Sequence, residues 1–149
     1  MLETLLHRIR LQAYLMMVLF SLGLVAIWFM RYLGWAFPAE PTRVLSMVGL
    51  LGSTTGAVAL PILVRMAFYR KSAHQDGLSL SEFFRMERCL VLCVLFGALF
   101  TLFAYLVPVY RYHLYLSVLV TIYGIYSVFP ANKTYKKDIA AFRVKSDET

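Results

Sequence analysis

Charge is scarce in this sequence, and the gaps between charged residues are long. Asp, Glu, Lys and Arg make up 15% of the 149 residues and hydrophobic types 60%, whereas an average soluble domain is about a quarter charged. The charged positions leave four charge-free runs: Leu11 to Met30, Val44 to Val64, Cys89 to Tyr110 and Tyr112 to Asn132. Each is close to the roughly 20 residues that carry a helix across a ~30 Å hydrocarbon core. None alternates apolar and polar residues, and each is about twice a strand's length, which argues against barrel strands. The expected fold class is all-α: an integral membrane protein with four transmembrane helices and both termini on the same side.

Reactive groups are equally sparse. There are two cysteines and three histidines. Cys89 and Cys93 are separated by three residues, not the two of a typical redox pair, and they read as small apolar core residues. Cys89, near a membrane boundary, is also a candidate for acylation. His7 and His74 lie outside the runs and His113 at the rim of the fourth, which argues against a pair of axial haem ligands deep in the bilayer. No Asp or Glu interrupts any run, so nothing resembles an intramembrane proton relay. Glu82 is expected to pair with Arg85 three residues on, and Glu82 and Glu87 point about 140° apart on an ideal helix. With no nucleophile–base pair and no metal-ligand spacing, the expectation is a non-enzyme without cofactor or metal.

What charge there is lies unevenly. Arg8, Arg10, Arg65, Arg70, Lys71, Arg85, Arg88, Lys133, Lys136, Lys137, Arg143 and Lys145 fall on one side of the four spans, and only Arg31, Arg43 and Arg111 on the other. The positive-inside rule places the richer side, with both termini, in the cytoplasm, and suggests a bacterial inner membrane. The net charge of +7 then faces anionic lipid headgroups, with Arg70, Lys71, Lys136 and Lys137 as the expected lipid contacts. Nucleic acid is not an expected partner, because such binding calls for a soluble basic domain. Trp28, Trp35 and Phe37, with Tyr105, Tyr110, Tyr112 and Tyr115, fit an outer aromatic belt.

The whole chain, 1–149, reads as a single transmembrane domain with spans at about 11–30, 44–64, 89–110 and 112–132. Residues 2–10 have the apolar spacing of a short interfacial helix continuous with the first span. In the inner loop, about 70–88, Asp76-Gly77 signals a turn and Ser79-Leu80-Ser81-Glu82 a capping box, so a helix is predicted to start near Ser79. About 8 residues around His74 are then left free to move. The outer links are short: a stiff one holding Pro38 and Pro41, and Arg111 alone between the last two spans. The tail, 133–149, is expected to lie along the membrane surface with Ile139 and Phe142 turned inward.

The stretch GLLGSTTGAVALP, residues 49–61, places three glycines and three hydroxyls inside a membrane span. Gly49, Gly52 and Gly56 fall on one helix face beside Ser53, and Ser117, Thr121 and Gly124 form a matching face on span four. Faces of small residues let helix backbones approach closely. Thr54 and Thr55 can satisfy their hydroxyls on carbonyls one turn back, and Pro61 removes one backbone hydrogen bond. The alternative is a polar path through Thr54, Thr55 and Arg65, exposing carbonyls to a cation near the midplane. Arg65 itself is expected to snorkel to the headgroups; the alternatives are that it lines a cytoplasmic vestibule and binds an anion, or pairs with Glu87. The leading expectation is a structural, assembly or accessory subunit of a membrane complex, bound to a membrane-protein partner or to copies of itself. The alternative is a small oligomeric transporter or channel protomer.

Overall fold

A computed structural model describes residues 2–34, 40–75, 77–129, 139–142 and 144, with the backbone alone described at 2–6, 8–10 and 31. Helix α1 is Leu2–Tyr32, α2 Arg43–Thr54, α3 Leu60–His74, α4 Leu80–Leu106 and α5 Arg111–Val128, with a π-helical turn, Thr55–Ala59, joining α2 to α3. No strand occurs among the described residues. Among the described residues, three helical stretches are long and apolar enough to cross a membrane: Leu11–Met30, Arg43–His74 and Leu80–Leu106.

α2 and α3 continue one another through the π turn and run antiparallel to α4, α1 runs parallel to α4, and α4 touches all the others. Gln12 of α1 and Arg88 of α4 line one cleft, and the Ser72 hydroxyl donates to the Phe142 carbonyl at 2.8 Å. The start of α1, the α3–α4 turn and residues 139–142 therefore share one end, here called the basic end. At the opposite end Ser46 ties α2 to α5: its hydroxyl accepts the Tyr110 N–H at 3.1 Å and donates to the Thr42 carbonyl at 2.8 Å.

The N-terminal segment is continuous with the first span, as expected from its apolar spacing. At α4 the capping box forms: the Ser79 hydroxyl accepts from the Glu82 N–H and the Glu82 carboxylate from the Ser79 N–H. Other expectations need correction. Glu82 pairs with Lys71 across the α3–α4 turn, not with Arg85, because the tight turn brings the last turn of α3 beside the first of α4. Of the residues around His74 expected to be free, those up to His74 belong to α3. Gly77, at φ +126°, donates its N–H to the Ser72 carbonyl at 3.0 Å, a wide bond of the kind that closes a helix C-terminus. Leu78 beside it is fully buried.

The link between α4 and α5 is longer than Arg111 alone. Helix α4 ends at Leu106, and Val107 and Tyr110 are extended, because Val107 precedes Pro108 and a residue before proline is pushed out of the α region. Phe129, before Pro130, is extended in the same way and ends α5. Residues 130–132 of the predicted fourth span lie outside the described residues.

Apolar burial is concentrated at the basic end. Leu78, Phe83, Met86, Leu90 and Val94 are fully buried, and Phe142 joins their cluster. The Phe142 ring lies 6.3 Å from both Phe83 and Tyr69, and its carbonyl accepts the Leu78 N–H at 3.3 Å. Most of α1 and α5, by contrast, presents large apolar side chains outward.

Candidate functional site

Side-chain volume decides where these helices come closest. α2 and its π turn cross α4 through a ladder of small residues: Gly49 meets Ala104, Gly52 the Phe100 ring, and Gly56 the backbone of Gly97. A Cβ on Gly49 would sit 2.8 Å from the Ala104 Cβ, and one on Gly97 would sit 2.6 Å from the Ala57 nitrogen and 2.9 Å from the Ser53 carbonyl oxygen. A Cβ on Gly124 of α5 would sit 2.7 Å from the Ala57 Cβ and 2.8 Å from its carbonyl oxygen. Three backbones therefore meet around Gly56, Gly97 and Gly124 with no room for a methyl group.

The π turn sits at this junction for a reason written in Pro61. In an unbroken α-helix the proline ring would strike the carbonyl four residues back, that of Ala57, and its own N–H would be missing. Here the Leu60 N–H reaches back five residues to the Thr55 carbonyl, a wider turn of the kind that absorbs such a conflict. Pro61 then stands in the first turn of α3, and the Ala57 carbonyl lies against Gly124.

The hydroxyls of the joint are taken up internally. Ser53 and Thr54 both donate to the Leu50 carbonyl, at 2.9 and 2.7 Å, and Ser117 donates to the His113 carbonyl at 2.9 Å. Thr101 and Thr121, both fully buried, lie oxygen to oxygen at 2.6 Å, and the Thr101 oxygen is also 3.2 Å from the Ser117 carbonyl. Each threonine has one hydrogen to give, and both are used when Thr121 donates to Thr101 and Thr101 to the Ser117 carbonyl or to the Gly97 carbonyl at 3.4 Å.

Gly49, Gly52, Ser53 and Gly56 thus lie on α2 and its π turn facing α4, while Ser117, Thr121 and Gly124 lie on the buried face of α5. α2 and its π turn also pack along α5, where Gly124 meets Ala57; Ser117 and Thr121 in addition meet Thr101 of α4. The sequence reading missed Gly97, Thr101 and Ala104, although their spacing of four and three in GALFTLFA is the same small-residue signature. Ser46 and Tyr110 were missed as well, because a side chain that serves another helix's N–H leaves no local pattern.

The residues of the alternative polar path do not converge. Thr54 is half-buried and bonded within its own helix, Thr55 is exposed, and Arg65 donates to the Ser127 carbonyl at 3.3 Å, near the end of α5. Arg65 lines a cleft with Met66, Tyr69, Arg70 and Phe142 in which neither threonine takes part. Of the expected lipid contacts, Arg70 is exposed on that cleft and Lys71 is engaged by Glu82. Lys136 and Lys137 lie outside the described residues. Cys89 and Cys93 are half-buried free thiols, and Glu87 is buried on α4 and held in an interaction of its own. Among the described residues no three His, Cys, Asp or Glu side chains come together as a metal site.

Comparison of the chain with protein-family models, with curated proteins and with solved structures finds no match.

Proposed function

We propose that this chain is a non-enzymatic, multi-pass inner-membrane protein that serves as a structural, assembly or accessory subunit of a membrane complex. The observation that carries this reading is the use of its intramembrane polar groups. The seam hydroxyls of Ser53, Thr54, Thr101, Ser117 and Thr121 are spent on carbonyls or on one another. Such an interior works as a joint between helices rather than as a conduit. The outward apolar faces of α1 and α5 leave ample surface for lipid and for a partner's helices.

In this reading α5 is the fourth span. Its 18 residues make a helix about 27 Å long, close to the hydrocarbon thickness. Its hydropathy is diluted by Arg111, His113 and its tyrosines. Tyr112 and Tyr115 stand near one end and Tyr123 and Tyr126 near the other, with Leu116, Leu119 and Ile122 between them, all exposed. Aromatic rings at both ends of an apolar band are the pattern of a helix that crosses two interfaces. The basic end is then cytoplasmic. In intact cells a cysteine at position 74 should be shielded from a membrane-impermeant maleimide and become labelled only after permeabilisation. Labelling from outside would reverse the orientation.

Affinity purification of the full chain in mild detergent, followed by mass spectrometry, tests the function. A stoichiometric larger complex is the expected result. A lone homo-oligomer would favour the transporter or channel alternative and overturn the accessory role.

A further inference from the structure

At the basic end of α3 two arginines flank an apolar cleft. Arg65, Met66, Tyr69 and Arg70 form one stripe of the helix, and Phe142 closes the cleft from the C-terminal segment, leaving about 290 Å³. On an ideal helix Arg65 and Arg70 lie about 140° apart in angle, so the cations edge the stripe while Met66 and Tyr69 occupy its middle. The Phe142 ring meets Tyr69 edge-on at 6.3 Å.

Arg65 is held in place. Its Nη2 donates to the Ser127 carbonyl at 3.3 Å, in the last turn of α5, where carbonyls lack intrahelical donors. A guanidinium carries five N–H donors, so this bond fixes the side chain and leaves most of the fork available. Depth in the bilayer matters too: Val64 closes the charge-free run, and Arg65 is the first cation beyond it. That is the level at which lipid phosphates lie.

We infer that this cleft is a binding site for one anionic phospholipid, its phosphate between Arg65 and Arg70 and its glycerol and first methylenes over Met66, Tyr69 and Phe142. Planar guanidinium groups match phosphate oxygens through paired, charge-assisted bonds. The walls between the two cations are apolar, which suits an amphiphile better than a bare anion. Basic pockets between helices at the cytoplasmic boundary are a recurrent form of headgroup recognition. The inference rests on the membrane-spanning reading given above, and replaces a diffuse lysine and arginine collar with a single defined site.

The test uses the full chain purified in detergent and supplied with dioleoylphosphatidylglycerol or dioleoylphosphatidylcholine, with retained lipid read by native mass spectrometry and stability by melting. Phosphatidylglycerol should be retained and should raise the melting temperature more than phosphatidylcholine does. Arg70→Gln, which leaves the Arg65–Ser127 bond in place, should weaken retention about fivefold. Arg65→Gln should weaken it at least as much, while Arg88→Gln, a cation of the same end outside the cleft, should not. Equal retention of the two lipids, or an equal loss in Arg88→Gln, would overturn the site. Inorganic phosphate matching phosphatidylglycerol in its effect on melting would also overturn it, marking a free-anion site. An alkaline carbonate wash of membranes keeps the two levels apart. Release of the chain refutes the spanning reading, whereas an embedded chain without lipid preference refutes the site alone.

Discussion

Alanine at Gly56 or at Gly97 should lower the stability of the detergent-solubilised protein by about 1–3 kcal/mol, and leucine at either position by more. The added Cβ at Gly56 falls on the backbone of Gly97, and the one at Gly97 lies 2.6 Å from the Ala57 nitrogen. Backbone cannot rotate away as a side chain can, so the helices must separate and lose van der Waals contact along the whole joint. Van der Waals packing is a main source of helix association within a membrane, since lipid is as apolar as the packed side chains. A milder effect is expected at Gly23, where Gly23→Ala meets the flexible end of Leu102 at 3.0 Å, whereas a Cβ at Gly52 falls on the inner atoms of the Phe100 ring, which must swing aside.

The polar side of the joint sets the contrast. Thr101→Val keeps the shape and removes a hydroxyl, and should cost about 0.6 kcal/mol, the average for an interhelical hydrogen bond in a membrane. Thr121 then loses its Thr101 partner and can turn its hydroxyl to a carbonyl one turn back on its own helix. Thr54→Val should be nearly neutral, since its hydroxyl donates to the local Leu50 carbonyl. Thermal unfolding of these variants side by side distinguishes a joint from a conduit. A conduit would tolerate alanine at the glycines and fail in transport when the hydroxyls are removed.

The elements that were legible in the sequence are those set by local chemistry. Ser79 and Glu82 announce a capping box in four consecutive residues, and the structure builds it. The apolar runs mark three helices long enough to cross a membrane, because length and hydropathy need no tertiary information. The end of α4 was open to local reading: Pro108 forces the preceding residue out of the helix, so a helix through Tyr110 does not hold, and Phe129 leaves α5 ahead of Pro130 in the same way. Other features lay beyond local reading. Lys71 reaches Glu82 only because the turn at Gly77 is tight, and Thr101 meets Thr121 only because α4 and α5 pack antiparallel. The π turn depends on both Pro61 and the neighbouring backbones. A sequence shows the proline but not the pressure from Gly97 and Gly124.

Phe83→Ala should be the most damaging single substitution at the basic end, costing about 3–5 kcal/mol. Phe83 is fully buried, with the Phe84 ring 6.2 Å and the Phe142 ring 6.3 Å away. Its position explains why the effect should exceed that of the glycine variants. It stands in the first turn of α4, ahead of the charge-free run that begins at Cys89, so the unfolded reference for this side chain is water or the wet interface rather than lipid. Burial there gains the full hydrophobic transfer free energy, which packing between helices inside the bilayer does not. The same argument applies to Leu78, fully buried in the turn between α3 and α4, where Leu78→Ala should cost about 2–5 kcal/mol. Limited trypsin digestion supplies a second readout. With the Phe83 ring gone, Phe142 loses an apolar partner, and the segment it anchors should be cut faster than in the wild type. A Phe83→Ala protein that melts and digests like the wild type would mean that the small-residue joint alone holds the helices together, and that the apolar cluster at the basic end follows the fold without supporting it.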